Sequence, residues 1–372
     1  MKKIYNSILG VLLTLIIFQM NAQESTAHEF YVGTLTFEGD SKGIYKYTLD
    51  SNGKFKSLGL VAETDSPSYL ALTEDKKILV SANMDKNWGN GKVTSFSVAD
   101  KGLVAISESQ TDKIPCHVSI KNKYVLISNY GGGNTELFKL DASGKLSELL
   151  SKEQHEGTGT HERQEAPHAH SAWFKPNSNE IVSVDLGTNH LWFSELNETK
   201  KALEPSKPKN FAMATGAGPR HLAFHPLKPQ FIYVLNELDN TVTLVENNKS
   251  NSYKVLSSIS TLPKDFSGKN TAADIHISKD GKFLYTSNRG DNNSLAIFKI
   301  NETTGILSLV GIEPTKGEVP RNFAISPTED FIVVANKKTN NLVSFKRDKV
   351  TGKLLFTDEI TAPTPTCVLF YN

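Results

Sequence analysis

The chain has 372 residues, and 41 Lys and Arg stand against 40 Asp and Glu, a formal net charge of +1. That balance excludes the basic footprint of a nucleic-acid binder, so no nucleic-acid partner is expected. The length would suit two ordinary domains or one large one, and two cysteines are too few for a cysteine-rich zinc site.

Residues 1–22, MKKIYNSILGVLLTLIIFQMNA, join a basic start to an apolar stretch from Ile8 to Phe18 and end in small residues at Asn21 and Ala22. This is the pattern of a cleaved secretory signal. The mature chain is expected to start near Gln23, in a periplasmic or secreted setting, with no membrane span after cleavage. No cysteine follows the cut, which argues against a lipid anchor.

From about residue 27 onward a phrase recurs, and seven copies can be aligned. Their first strands start at Pro67, Pro115, Ala169, Pro219, Ala272, Pro320 and Pro365, between 45 and 54 residues apart. A period in this range marks a solenoid, propeller or array. Second strands are apolar and β-branched, as in KILVSAN, FIYVLNE and FIVVANK, and read as buried strands. Third strands alternate, as from Leu295 to Ile300, and fourth strands follow glycine turns (GKFKSLGL, KGLVAISE, GKLSELL, GILSLVG, GKLLFTD). The last copy is split: its first strand is the C-terminal TPTCVLFYN, and its other strands are the N-terminal FYVGTL, GIYKYTL and GKFKSLGL. A sheet built from both chain ends closes a ring and removes free edges. The expected architecture is therefore all-β: one seven-bladed β-propeller over residues 23–372. Two polar stretches, 151–166 and 203–217, depart from the repeat and should lie over one end of the ring. Cys116 and Cys367 fall in first strands of non-neighbouring copies and read as buried free thiols.

The repeat is its own control. Positions alike in every copy serve the fold, and positions that differ are free for function. Strand two ends in Asn83, Asn129, Asp185, Asn236, Asn288 or Asn336, a side chain that bonds nearby backbone and starts the turn; the charged Asp185 is the expected exception. The next position varies: Met84, Tyr130, Leu186, Glu237, Arg289, Lys337. So does the second position of strand one: Ser68, Cys116, His170, Arg220, Ala273, Arg321, Thr366. In a propeller both positions face one axial mouth, the default place for a ligand. His117 and His221, one position further on, read as hydrogen-bonded structural histidines, with His221 also kept among the binding candidates. His155, His161, His168 and His170 fall within sixteen residues. They could offer imidazole ligands, but no acidic cluster at a matching spacing accompanies them, and neither metal nor cofactor is expected.

Arg suits bidentate recognition of carboxylate or phosphate. Glu or His can activate water or protonate a leaving oxygen. No G-x-S-x-G elbow is present, so ester or lactone hydrolysis by direct water attack fits this inventory better than covalent catalysis. The expected catalytic residues are His170, Glu237, Arg220 and Arg289; the expected substrate-binding residues are His168, Asp185, Asn129, His221 and Arg321.

The segments His117–Asn134, APHAHSAWF, VDLGTN, GPRHLAFHP, YVLNELDNTVT and SNRGDNNSLAIF occur in the order in which they resemble the lactonase family of seven-bladed propellers. That family includes cycloisomerase-type 6-phosphogluconolactonases and fungal carboxy-muconate cyclising enzymes. The resemblance covers essentially all of the expected mature chain. It implies a mouth histidine at His170, with His168 the alternative, and family arginines and glutamate at Arg220, Glu237 and Arg289. It implies an anionic or sugar lactone as substrate and no metal; separately, a monomer is expected. Two other readings stay open: a non-catalytic exported propeller that binds carbohydrate or a partner protein, and a cyclase that forms a muconate-type lactone.

Overall fold

The computed structural model describes residues 27–100, 102–248 and 252–371. The expected signal segment lies outside the described residues. Seven four-stranded antiparallel sheets form the ring. Blades one to seven are numbered by their inner strands: Pro67–Leu72, Pro115–Lys121, Ala169–Phe174, Pro219–Phe224, Asn270–Ile277, Pro320–Ile325 and Pro365–Phe370. In blade seven, the C-terminal inner strand pairs with the N-terminal His28–Thr34, through Phe30 with Phe370 and Val32 with Val368. The split copy therefore closes the ring as the repeat predicts.

The apolar second strands supply the core, which is divided. Each of seven buried clusters lies between two adjacent blades; Tyr233, Leu235 and Leu244 of blade four, for example, pack on Leu284 and Phe298 of blade five. Sheets stacked face to face bury both faces of the second strands, which is why those segments read as continuous apolar runs. Cys116 and Cys367 are free and buried, as expected.

Two fourth strands differ from expectation. In blade two, GKLSELL is irregular apart from a single bridge between Leu146 and Leu140, and the outer strand is Ser151–Gln154. The reason is local. The Ser147 hydroxyl accepts the Lys139 N–H at 3.0 Å, and Asp141 accepts the N–H groups of Ser143 and Lys145. Side chains that capture backbone donors compete with a strand ladder. In blade three, the stretch read as an insertion from 203 is the outer strand Ala202–Ala212. Pro205 and Pro208 are tolerated there because an outermost strand has one unpaired edge.

One backbone device recurs at the axial mouth. The residue before the inner strand has positive φ at Ser66 (36°), Ile114 (56°), Gly218 (65°), Val319 (59°) and Thr364 (40°). Four of the five are not glycine, and Ile114 and Val319 are β-branched, so the conformation is strained. Its carbonyl accepts the N–H of the variable residue after strand two in four blades: Met84 to Ser66, Tyr130 to Ile114, Glu237 to Gly218 and Lys337 to Val319. Blade three makes the same bond from Leu186 to His168, and blade seven from Leu35 to Thr364. The two loops that carry the variable side chains are thereby tied together.

Close packing between blades seven and one gives a stability test. A Cβ added at Gly33 would lie 2.4 Å from the Pro67 carbonyl oxygen, whereas one at Gly311 would meet nothing within 4 Å. Gly33→Ala should cost about 1–3 kcal/mol, and Gly311→Ala should stay within about 0.5 kcal/mol of wild type. Urea unfolding of both variants checks this, and equal stabilities would contradict it.

Candidate functional site

Each inner strand loses register with its neighbour near its second residue. The ladder skips Ser68, Cys116, His170, Arg220, Arg321 and Thr366, and in blade five it skips both Ala273 and Asp274. A β-bulge frees a residue from the ladder and re-aims its side chain. Here several of the freed side chains reach the inner strand of the next blade. Ser68 Oγ donates to the Pro115 carbonyl, Cys116 Sγ to that of His170, Arg220 Nη1 to that of Ala273, and Thr366 Oγ1 to that of Ser68.

At the mouth, Glu237 is the centre of the charged groups. Its Oε2 lies 2.9 Å from Arg220 Nε and 3.2 Å from Arg289 Nη2. Its Oε1 accepts a hydrogen bond from Arg163 Nη1 at 2.6 Å. Arg220 and Glu237 are buried, and Arg163 is partly exposed. Burial alone would raise the Glu237 carboxyl, but Arg289, Arg220 and Arg163 outweigh it and hold the group at about 2. Arg289 moves the other way: burial pulls it down to about 9, against the pull of Glu237. Burial and the neighbouring Arg220 also lower Arg321, which makes no hydrogen bond or ion pair among the described residues. Four guanidiniums thus gather around one carboxylate, an arrangement that favours an anion.

His170 lies below them. Burial, then the charges of Arg220, His221, Arg321 and Arg289, push its imidazole well below the ordinary value, so the ring is neutral near pH 7. Its Nδ1 is 3.9 Å from Cys116 Sγ. The Cys116 thiol is driven up to about 12 by burial and is inert at neutral pH. Tyr130 completes the rim. Its hydroxyl accepts from Arg163 Nη2 at 3.2 Å, and its ring stacks on His168 at 4.3 Å.

The four expected catalytic residues, His170, Arg220, Glu237 and Arg289, therefore converge, with Arg321 beside them and His168 at the rim. Two expected substrate contacts need correction. Asp185 is fully buried, 2.7 Å from His155 Nδ1, and accepts the N–H groups of His168 and Thr188. Its charge is matched inside the fold. Asn129 is also buried, donating to Asn134 Oδ1 at 2.9 Å. His221 lies beneath Arg220 and is 2.8 Å from Asp274. The histidine-rich segment does not come together: His155 turns to Asp185, His161 accepts the Arg163 N–H, and His168 lies against Glu165 and the Tyr130 carbonyl. Among the described residues no group of three or more His, Cys, Asp or Glu is placed to hold a metal ion.

Sequence reasoning missed Arg163. It belongs to the stretch at 151–166, which has no counterpart in other copies, so no comparison could single it out. Tyr130 stood at a variable position but was not chosen, and its aromatic character there was the available signal. A concavity of about 810 Å³ lies at the opposite end of the ring among Lys77, Lys121, Asp141 and Lys175. Its charges are mixed and do not converge, so volume is a poorer guide here than charge.

Comparison with known proteins agrees with this geometry. Residues 29–370 match the family model described as lactonase, seven-bladed β-propeller. The chain is 40% identical over 351 residues to a 6-phosphogluconolactonase of Bacillus subtilis, covering 92% of this chain and 98% of that protein. It is 34% identical over 335 residues to a 6-phosphogluconolactonase of Formosa agariphila, covering 87% and 94%. Among solved structures it resembles a periplasmic gluconolactonase of Pseudomonas aeruginosa, with TM-score 0.88, 29% identity and coverage of 93% and 99%.

The depressed Glu237 carboxyl predicts a pH signature. A folded-state value near 2 against an unfolded value of about 4.3 gives stability that is present above about pH 4.3. That stability is lost as pH falls through about 2, and amounts to roughly 3 kcal/mol. Glu237→Gln should therefore be less stable than wild type at pH 7, with the gap narrowing between pH 4.5 and 2. Chemical unfolding at several pH values measures it, and a gap independent of pH would refute the assignment.

Proposed function

Because the chain belongs to the lactonase family of seven-bladed β-propellers, we propose that it hydrolyses a sugar lactone of the 6-phosphogluconolactone kind. The observation that carries this reading is the excess of guanidinium charge around Glu237, with a neutral imidazole below it. Arg220, Arg289 and Arg321 hold the anionic group and the oxyanion that develops when water adds to the lactone carbonyl. His170, neutral at working pH, takes the proton of the attacking water and returns it to the ring oxygen as the C–O bond breaks. Glu237 has its carboxylate oxygens engaged by Arg220, Arg289 and Arg163 and is not assigned that step. It holds Arg220 and Arg289 in place, and an incoming anion competes with it for Arg163. Water addition by these groups needs no metal.

The N-terminal pattern supports an exported protein, cut after Ala22, whose single domain spans residues 23–372 and acts as a monomer. Likeness to a periplasmic gluconolactonase fits that setting and makes non-phosphorylated sugar lactones a second substrate group to test.

Purified protein should hydrolyse 6-phosphogluconolactone or a plain aldonolactone well above the spontaneous rate. His170→Asn should lower kcat by roughly 10²-fold or more, and Arg289→Ala should lower kcat/KM by about 10²-fold. Wild-type turnover no faster than the spontaneous reaction across a lactone panel would sink the reading. Full activity in both variants would sink the residue roles.

A further inference from the structure

In blade five the ladder leaves two inner-strand residues unpaired where the other blades leave one, and the second of them carries a charge. The ladder passes from Ala272 to Ile275 and leaves Asp274 at the axis, almost fully buried. Four donors from three blades meet its carboxylate. His221 Nδ1 lies 2.8 Å from Oδ1, and His276 Nε2 lies 2.9 Å from Oδ2. Asn322 Nδ2 donates to Oδ2 at 2.6 Å, and the Phe323 N–H at 3.3 Å. Asn322 is in turn held by the Val368 N–H, which donates to its Oδ1 at 2.7 Å. The carboxylate is fixed from every side.

A carboxylate can only accept, so His221 must carry its proton on Nδ1, and Nε2 is left with a lone pair. That lone pair faces Arg220 Nη1 at 3.3 Å. The same guanidinium nitrogen also donates to the Ala273 carbonyl, and Arg220 Nε is turned to Glu237 Oε2 at 2.9 Å. A column of polar contacts thus runs from the centre of the ring to the mouth: His221 is hydrogen-bonded to Asp274 and to Arg220, and Arg220 is ion-paired with Glu237. The other rings against His221 are Tyr69, His117, His170 and Trp173, at centroid distances of 5.3–6.3 Å. None of them supplies a second acceptor for Nδ1.

We propose that Asp274 and His221 are positioning residues for Arg220: Asp274 selects the His221 tautomer, and the bare Nε2 holds the guanidinium in the orientation that receives the substrate's anionic group. This rests on the proposed role of Arg220 as an anion ligand. The opposite tautomer would point an N–H at a guanidinium N–H, so the device depends on the proton's place and not on the ring's bulk. Outer partners that set a ligand's tautomer act in the same way around metal-bound histidines.

The probe is sulfate, a dianion of constant charge near neutral pH, with binding read by calorimetry at pH 7 so that no turnover is needed. His221→Gln can accept from Arg220 and donate to Asp274, and should stay within about threefold of wild-type affinity. His221→Phe fills the space without a lone pair and should lose about tenfold, the value of one charge-assisted hydrogen bond. Nitrogen-15 spectra of histidine-labelled wild type should show His221 protonated on Nδ1 and bare on Nε2. Melting temperatures identify any variant that fails to fold, and Asp274→Asn, if folded, should shift the His221 proton to Nε2. Wild-type affinity in folded His221→Phe, no sulfate binding by wild type, or a protonated Nε2 in wild type would each overturn the proposal. A wild type that shows this binding pattern yet hydrolyses no lactone supports the column while overturning the lactonase reading.

Discussion

The chain enters most inner strands through a residue held in the left-handed region, and the carbonyl of that residue receives the N–H that follows strand two. That bond joins the two loops bordering the axial mouth. The turn imposed there is followed within two residues by a bulge, so a ladder that would hide every second side chain releases one per blade toward the axis. Val319 and Ile114 adopt a backbone conformation that costs β-branched residues free energy. The buried slabs between blades are extensive enough to hold them in it. Everything argued about the mouth, from the guanidiniums to His170, depends on this repeated distortion of an otherwise regular sheet.

What occupies the released positions is electrostatically one-sided. A buried carboxylate normally resists ionisation and a buried guanidinium resists its charge. Glu237 and its three arginine neighbours each make the other's burial tolerable, but the positive side is in excess. Arg289 shows the consequence, since its pull toward neutrality survives a carboxylate at 3.2 Å. A site in this condition gains from a second anion. Asp274 does not relieve the excess, because its own donors already surround it.

Most of the architecture was legible because repetition separates structure from variation. The Asn at the end of strand two recurs, and Asn336 and Asn288 indeed spend their amides on nearby carbonyls. Asp185 misled because a charge in that series looks like an exception, whereas His155, from a stretch without counterparts, is hydrogen-bonded to it in the interior. Arg163 was hidden for the same reason. The outer strands of blades two and three escaped because their signals are weak: serine and aspartate side chains capture backbone donors in one, and two prolines interrupt the other. Asp274 was out of view because it stands one position past the variable residue of strand one, in the place that His117 and His221 hold as structural histidines, while the variable place itself holds Ala273.

Blade seven takes its inner strand from the last residues of the chain and its other three from the first. Phe30 and Val32 find their inner-strand partners only when Phe370 and Val368 have been made. Until then the N-terminal sheet has an open inner edge, and blade six lacks one of its two apolar neighbours. Closure therefore waits for the Pro365–Phe370 strand, whatever order the other blades follow. A polypeptide that stops before Pro365 is an open arc with two exposed ends, not a slightly shortened ring. For such a protein the C-terminal residues act as a test of completeness, because the ring cannot close without them.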